Sequence, residues 1–373
     1  MTKHHRALLG LLYVPEMGLR RIKHLLRTTG VSSAEQIFDI PYSRLIKIDT
    51  VGETVAANIA GFEDWDAVDE VLEKTASAGA SLVGYGDEFY PELLKHIYDP
   101  PILLWIKGNK KALKHNGIAV IGTRRPGKYG LKQTEKWTEL LSNAGLCINS
   151  GLAYGVDAAA HKTAVQRDGK TVAVLGSGID IIYPAKNSRI VREIIDSGGA
   201  VITEFEPGTQ PDAVNFPERN RIVSGMSHGV LVVESGIKGG SMITARCALD
   251  QNREVFVIPH PLDYPGGEGC NYLIRTGQGK LVQSLQDIQD EISVHLQGNV
   301  VEKSKKPASK VWESLELSSE LSDICRQLAE EELHIDQLSE NLNIPVFKLL
   351  PSLLDLEMQG AVKQKAGKYF ELC

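Results

Sequence analysis

Glycine-rich turns, one of which carries two arginines, follow apolar segments at several points in the chain. Gly122-Thr123-Arg124-Arg125 comes directly after one apolar run, Ser150-Gly151 follows the next, and Gly240-Ser241 belongs to a later glycine cluster. Glycine turns at the start of helices offer uncovered backbone N–H groups to an anion. The guanidinium group adds charge in a fork that matches two phosphate oxygens. These residue types predict a phosphate-binding surface.

An aromatic residue and two further arginines lie together in Phe216-Pro217-Glu218-Arg219-Asn220-Arg221. We interpret Phe216 as a loop residue whose ring could stack on a nucleobase, a contact of about 1–3 kcal/mol per base. Arg219 and Arg221 are candidate phosphate ligands. Two plainer interpretations stay open: Phe216 packs into the core, and either arginine pairs with an acidic residue of a neighbouring helix.

The motifs of common catalytic and cofactor sites are missing from the sequence. No Gly-x-x-x-x-Gly-Lys-[Ser/Thr] loop occurs, and Gly176-Ser177-Gly178 lacks the third glycine of a dinucleotide-binding turn. The ten histidines are not at metal-ligand spacing, and neither Ser150 nor Ser241 lies in a Gly-x-Ser-x-Gly elbow. We therefore expect no catalytic residue, no metal site and no cofactor.

The segments that must position these turns alternate between two types. Between residues 117 and 258, continuous apolar runs alternate with helical stretches, and residues 81–108 add two short strands around a turn. This alternation predicts an α/β fold with a doubly wound, mostly parallel sheet covered on both faces. Ligands of such sheets bind beyond the carboxyl ends of the strands. The glycine turns are therefore expected to converge on one edge of the sheet.

The two ends of the chain differ from this centre. Residues 1–80 show helical periodicity with two turns, before Gly18 and Gly52, that are typical of a helix-hairpin-helix. A simple corner between helices is the alternative; it is favoured for Gly52 and left open for Gly18. A polar segment at 293–312 is predicted to be a linker, and residues 313–373 to form three helices and a hairpin, hence a winged helix. The central domain is predicted to span 81–292.

Composition limits the class of protein and the kind of ligand site. The chain has 373 residues, 42% of them hydrophobic, and a net charge of −6, which is ordinary globular composition. Residues 1–48 nevertheless carry eight Lys and Arg against three acidic residues. A polyanion must therefore be met by a local pocket. The five cysteines include no Cys-x-x-Cys pair, which fits a reducing compartment. The sequence also has no apolar run of membrane-spanning length and no recognisable cleavable leader. We therefore expect a cytoplasmic protein without a membrane span.

The ordered motifs of the central region resemble those of the DNA-processing protein A (DprA/Smf) family. They are Gly122-Thr123-Arg124-Arg125-Pro126, Ser150-Gly151-x-Ala153-x-Gly155-x-Asp157-x-x-Ala160-His161, Tyr183-Pro184-x-x-Asn187, Phe216-Pro217-x-Arg219-Asn220-Arg221, Gly240-Ser241-x-x-Thr244-Ala245 and Gly269-x-Asn271-x-Leu273-Ile274. The resemblance covers the α/β domain, and more weakly both terminal domains.

The resemblance implies a protein that binds single-stranded DNA, protects incoming DNA during natural transformation and helps to load the recombinase RecA. It implies an extended Rossmann-like domain that forms a homodimer, a SAM-like N-terminal helical domain and no catalysis. The residues it implies at the DNA site, together with those predicted above, are Gly122, Thr123, Arg124, Arg125, Ser150, Gly151, Lys186, Asn187, Phe216, Arg219, Asn220, Arg221, Gly240 and Ser241.

Two positions depart from the family pattern, and two other functions stay open. Tyr154 stands where an arginine is usual, and His260 where a glycine is frequent. One alternative is an enzyme that hydrolyses nucleotides, like the phosphoribohydrolases of this fold. The other is a winged-helix regulator of duplex DNA, although its predicted third helix, 346–359, has only Lys348 against two acids. A protein contact or a regulatory role is therefore favoured for the winged helix.

Overall fold

The chain forms two compact units, Met1–His295 and Leu296–Cys373. The computed structural model describes residues 2–29, 33–296, 312, 315, 317–329, 333–364 and 368–372. The division into domains at 1–80, 81–292, 293–312 and 313–373 stays a prediction. Most of the linker segment, and the hairpin turn expected at Ala366-Gly367, lie outside the described residues.

Helices occupy the first part of the larger unit. They are α1 (Lys3–Tyr13), α2 (Leu19–Thr28), α3 (Glu35–Phe38), α4 (Tyr42–Leu45), α5 (Glu53–Ala60) and α6 (Trp65–Ser77). Thr2 and His5 form a reciprocal capping box at the start of α1, and the leucines of this helix are buried against the neighbouring helices. The side chain of Arg21 donates hydrogen bonds to the carbonyls of Glu16 and Thr50. It therefore ties together the two turns that precede Gly18 and Gly52.

A nine-stranded sheet forms the centre of this unit. Its strands are β1 (Ser81–Gly84), β2 (Leu103–Gly108), β3 (Gly117–Ile121), β4 (Cys147–Ser150), β5 (Thr171–Val174), β6 (Ala200–Thr203), β7 (Gly229–Val232), β8 (Glu254–Val257) and β9 (Lys280–Leu281). The spatial order is β1-β2-β6-β5-β4-β3-β7-β8-β9. The pairs β1–β2 and β2–β6 are antiparallel and the rest parallel, which confirms the predicted fold class.

Helices connect the parallel strands and cover the sheet. They are α7 (Lys128–Asn143), α8 (Val156–Gln166), α9 (Ser188–Asp196), α10 (Asn215–Gly225), α11 (Gly240–Asp250), α12 (Glu268–Arg275) and α13 (Leu285–Leu296). The central strands are apolar along their whole length because helices cover both faces, as the buried pattern of β3, β5 and β7 shows. From β3 the chain builds outward to β6 and then returns to β7 on the other side of β3. The sheet therefore reverses its direction of growth between β3 and β7.

The smaller unit is a winged helix. Its elements are α14 (Ser319–Leu328), β10 (Leu333–His334), α15 (Ile335–Leu342), α16 (Val346–Met358), β11 (Val362–Gln364) and β12 (Tyr369–Leu372). The three strands pair in the order β10-β12-β11. The helices enclose a separate apolar core with Phe370 of the sheet. The predicted third helix is present and ends one residue earlier than expected.

Within the described part of the chain, no helix is both long enough and apolar enough to cross a lipid bilayer.

Candidate functional site

An open cavity of about 740 Å³ lies beside the switch point of the sheet, where the turns after β3, β4 and β7 meet. Ligands of doubly wound folds bind at this place because adjacent loops diverge there and leave a crevice. The predicted residues among those that line the cavity are Gly122, Thr123, Arg124, Gly151, Phe216, Arg219, Asn220, Gly240 and Ser241. The structure thus brings together nine residues that are widely separated in the sequence.

Backbone hydrogen bonds hold the turns in place. The N–H of Thr123 donates to the carbonyl of Glu234 at 2.7 Å, and the N–H of Val156 donates to the carbonyl of Thr123 at 3.2 Å. A Cβ on Gly122 would lie 2.6 Å from Cγ2 of Val156, so a side chain cannot fit there without a shift. The β3 turn is therefore fixed against both the β7 turn and the start of α8.

An aromatic pair and a cation form one wall of the cavity. The ring centroids of Phe216 and Tyr183 are 5.7 Å apart, and the guanidinium carbon of Arg124 lies 5.6 Å from the centroid of Phe216. Arg124 is exposed. A Cβ on Gly176 would lie 2.9 Å from the Phe216 ring, so this glycine, which does not line the cavity, makes room for the ring.

The structure corrects the prediction that Phe216 is a loop residue. It lies in the first turn of α10 and is partly buried. A proline at the third helical position is tolerated because the N–H groups of the first turn have no helical acceptor. Tyr183 lines the cavity, although it was not among the predicted residues of the site. Its position beside Pro184 in a family motif was the available signal.

Arg219 forms part of the cavity floor. It is 5% exposed, and its guanidinium donates hydrogen bonds to the carbonyls of Gly151 and Val174. Burial lowers its pKa to about 10, against the opposite influence of Asp157. Gly151 is required here because a Cβ would lie 2.5 Å from the guanidinium. Arg219 therefore supports the β4 turn and adds a buried positive charge beneath the surface.

Asp157 is a further residue of the site that sequence analysis left unassigned, although it lies in the β4 motif. Its carboxylate accepts hydrogen bonds from the N–H groups of Gly151, at 3.1 Å, and Ala153, at 3.3 Å. Burial raises its pKa, while Arg219 and these backbone donors oppose the rise. The carboxylate thus fixes the β4 turn from below.

The N-terminus of α11 forms the opposite wall. Gly239 precedes the helix without a side-chain cap, and the hydroxyl of Ser241 donates to Oγ of Ser235 at 2.7 Å. Among the described residues, no atom comes within 4 Å of a Cβ built on Gly240. Gly240 is also exposed, so there is open space at the first turn of this eleven-residue helix, where the helix dipole favours an anion.

Five predicted residues do not line the cavity. Arg125 and Lys186 are exposed outside it. Ser150 is buried and donates to the carbonyl of Val120 at 2.7 Å, and the amide of Asn187 donates to the carbonyl of Leu152 at 2.8 Å. These two polar groups are used within the protein, so their placement is structural.

The fifth residue, Arg221, corrects a prediction. Its guanidinium pairs with Asp99 at 3.2 Å and with Glu204, and it is not among the cavity residues. Burial tends to lower its pKa, but the two carboxylates raise it. An acidic pairing is thus formed, as one interpretation of the sequence allowed, but Asp99 and Glu204 lie outside the helices; the charge of Arg221 is neutralised locally.

The two departures from the family pattern lie outside the cavity lining. Tyr154 is exposed. His260 is buried, with Nε2 2.8 Å from the carbonyl of Val233, and its ring stacks on Tyr264 at 5.6 Å. A Cβ on Gly267 would meet the imidazole. His260 thus packs into the turn before α12. Among the described residues, no group of three His, Cys, Asp or Glu side chains could hold a metal ion.

Two family models match the chain. DNA recombination-mediator protein A matches residues 81–293, and the DprA winged helix domain matches residues 306–368. Protein Smf of Escherichia coli K12 is 36% identical over 293 residues, which are 78% of this chain and 77% of that protein. DNA processing protein DprA of Streptococcus pneumoniae R6 is 44% identical over 205 residues, 55% of this chain and 72% of its own.

Solved structures agree with these matches. The crystal structure of DNA processing protein A from Streptococcus pneumoniae has a TM-score of 0.65 at 33% identity, covering 78% of this chain and 98% of that chain. DNA processing protein A from Helicobacter pylori, whose structure was determined in work on its single-stranded DNA binding mode, has a TM-score of 0.52 at 30% identity. It covers 59% of this chain and 97% of that chain.

Proposed function

Because the chain belongs to the DNA recombination-mediator protein A family, we propose that it binds single-stranded DNA without sequence preference in the cavity at the switch point of the sheet. The observation that carries the proposal is the convergence of Arg124, Phe216 and the open N-terminus of α11 on one crevice. The description of the Helicobacter pylori relative supports the same ligand.

The cavity offers each part of a nucleotide a suitable contact. A phosphate placed against Gly240 meets the uncovered N–H groups of α11, and Arg124 is the exposed cation that can pair with the next phosphate. A base can stack against the Phe216 and Tyr183 rings, which lie side by side. Such stacking accepts every base because each has an aromatic face. Binding of this kind needs unpaired bases and selects single strands over duplex.

We extend the proposal to the cellular role. By covering incoming single strands, the protein protects them during natural transformation and presents them to the recombinase RecA. Two copies associate through the α/β domain, and the protein acts by binding rather than by catalysis. The turn Pro265-Gly266-Gly267 is similar in sequence to the Pro-Gly-Gly turn of the phosphoribohydrolases of this fold. It lies outside the cavity lining, and Gly267 packs against His260. Incubation with nucleoside monophosphates is expected to release no free base.

The cavity is tested by removing its exposed cation. We expect Arg124→Ala to weaken binding of a labelled oligonucleotide by about 10- to 150-fold on every sequence, the effect of one charged hydrogen bond of about 1.5–3 kcal/mol. The log–log dependence of affinity on salt should become shallower by about 0.7, since one phosphate contact is lost. Fluorescence anisotropy at several salt concentrations measures both quantities.

Arg167→Ala is the matched control. This arginine follows the last turn of α8, at the opposite edge of the sheet, and pairs with Glu139 at 3.3 Å. Its loss should leave affinity and salt dependence unchanged. Equal affinities of the Arg124→Ala and Arg167→Ala proteins would place the DNA elsewhere on the molecule.

A further inference from the structure

The third helix of the winged-helix unit, α16, has two apolar faces. One face, with Leu349, Leu353 and Leu356, is buried in the core of the unit. The other is open to solvent. Its side chains and their exposed fractions are Phe347 at 72%, Leu350 at 42%, Leu354 at 58% and Met358 at 82%.

The exposed residues form one continuous stripe. Successive members are three or four residues apart, the spacing that keeps side chains on the same side of a helix. A cleft of about 470 Å³ runs beside the stripe and is closed on its far side by Gln364 and Phe370 of the small sheet. Contiguous apolar surface with an adjacent cleft is typical of a protein contact.

Charges on one flank of the stripe show what can cover it. Lys348 and Asp355 are both exposed and lie seven residues apart, so they are on one flank of α16. Their separation along the axis, about 10.5 Å, is too great for an ion pair within the helix. In an antiparallel pair of identical helices related by a two-fold axis, each flank meets the same flank of the other helix. Lys348 of each copy then lies beside Asp355 of the other.

We propose that α16 pairs in antiparallel orientation with α16 of a second copy of this chain. Phe347 and Met358 lie at the two ends of the stripe. Because the helices run in opposite directions, Phe347 of one copy then lies close to Met358 of the other. Four side chains per copy bury far less than the roughly 1,200–2,000 Å² of a stable interface. The contact is therefore weak between free molecules and strengthens where copies are already held close together, as neighbours on one strand are.

Sedimentation velocity of the full-length protein, extended to concentrations high enough for the parent protein to show this weak association, tests the contact. Replacing two exposed stripe residues, Leu354→Ser and Met358→Ser together, should abolish one concentration-dependent association step. Neither side chain belongs to the core, so thermal unfolding should stay unchanged. An identical concentration dependence of the variant and the parent protein would overturn the proposal.

Reversing the charges of Lys348 and Asp355 tests whether a second copy of this chain or a different partner covers the stripe. Lys348→Asp and Asp355→Lys should each weaken the association about fivefold, because two ion pairs become repulsive contacts. The double variant should recover to within about twofold, since both pairs re-form with reversed sign. Failure to recover would show that the stripe serves another partner.

Glu340→Lys on α15 is the matched charge reversal and should leave the association unchanged. The affinity of every variant for a short oligonucleotide should also be unchanged, which keeps this test independent of the cavity.

Discussion

Three arginines near the switch point have different physical environments. Arg124 is exposed beside an aromatic ring, Arg219 is buried under the cavity, and Arg221 is paired with two carboxylates. An exposed guanidinium can reach a phosphate with little loss of protein contacts. A buried one would have to abandon its hydrogen bonds first. Of the three, Arg124 is therefore expected to control DNA affinity, and the other two to control the shape of the site.

The structural role of Arg219 leads to a prediction for stability. Arg219→Met should lower the free energy of unfolding by about 3 kcal/mol, because two carbonyls lose their charged donor and Asp157 loses a neighbouring cation in a buried place. Urea denaturation followed by circular dichroism measures this change. Arg124→Met, at an exposed position, is the control and should change stability by less than about 0.5 kcal/mol. Equal stabilities of the two variants would contradict the assignment.

His161 provides a prediction for pH dependence. It is completely buried, and burial lowers its pKa to about 3. The hydroxyl of Thr171 donates to the carbonyl of Ile148 at 2.6 Å, so Nδ1 of His161 must be the donor in its 2.7 Å contact with that hydroxyl. The unfolded chain takes up a proton below about pH 6.5, whereas the folded protein does not. Stability is therefore lost as the pH falls from about 6.5 towards 3, by about 1.4 kcal/mol per pH unit.

His161→Asn keeps a donor close to the position of Nδ1 and removes the titration. Between pH 7.5 and 5, the melting temperature of this variant should fall less than that of the parent protein. Parallel curves for the two proteins would show that His161 is protonated in the folded state.

For single residues, the sequence predicted which residues belong to the site better than it predicted the surroundings of each side chain. Gly122, Arg124, Phe216 and Gly240 were assigned to one site and lie around one cavity. The sequence left open whether Arg221 binds a phosphate or pairs with an acidic residue. The answer depends on Glu204 and Asp99, which come from other parts of the chain. Whether a polar side chain is buried depends on the assembled fold, so short sequence motifs do not predict it.

Helices and strands were more predictable, since each one follows from a local apolar period. The apolar runs predict strands at 118–121, 146–149, 171–175, 200–203, 229–233 and 254–258, and the ends of β3 to β8 differ from these bounds by at most one residue. The helix was expected to begin at Pro217, because proline is favoured at the first helical position, and α10 in fact begins two residues earlier, at Asn215. The strand order was not predicted, because parallel pairing and the position of the switch point depend on contacts between segments that are far apart in the sequence.

The turn before α11 permits a prediction at the level of an element. Gly240→Ala should keep or slightly raise stability, because alanine favours a helix and the added methyl group meets open space. The same methyl group would stand between the first N–H groups of α11 and a phosphate, so affinity for single-stranded DNA should fall severalfold. Differential scanning fluorimetry and anisotropy measure the two effects separately.

Gly239→Ala is the contrasting variant in the same turn. Its Cβ would lie 2.6 Å from Oγ of Ser235, which holds the hydroxyl of Ser241. Stability and affinity should therefore fall together. If Gly240→Ala behaved in the same way, the wall formed by α11 would be a packing feature and not a ligand surface.

The charge of the whole molecule works against binding a polyanion. With a net charge of −6, the protein repels DNA at a distance, and attraction acts only where the local groups of the cavity dominate. Screening at moderate salt suppresses the distant repulsion, since the Debye length is about 8 Å at 0.15 M ionic strength. At low salt both the local attraction and the distant repulsion become stronger, and they partly cancel. The affinity for DNA is therefore expected to depend only moderately on salt.

The two compact units lead to a last prediction, which concerns the division of labour along the chain. A protein ending at residue 296 retains the whole cavity and every element of the sheet. It should bind an oligonucleotide that fits one copy with the affinity of the full-length chain, because the residues that line the cavity all lie between Ile121 and Thr244. On a strand long enough for several copies, it should bind with weaker cooperativity, because the α16 pairs are absent. Titrations on strands of graded length compare the two proteins. A truncated protein that lost affinity for the shortest strand would assign the winged helix a direct part in gripping DNA, whereas equal cooperativity on the longest would leave α16 without a role in assembly.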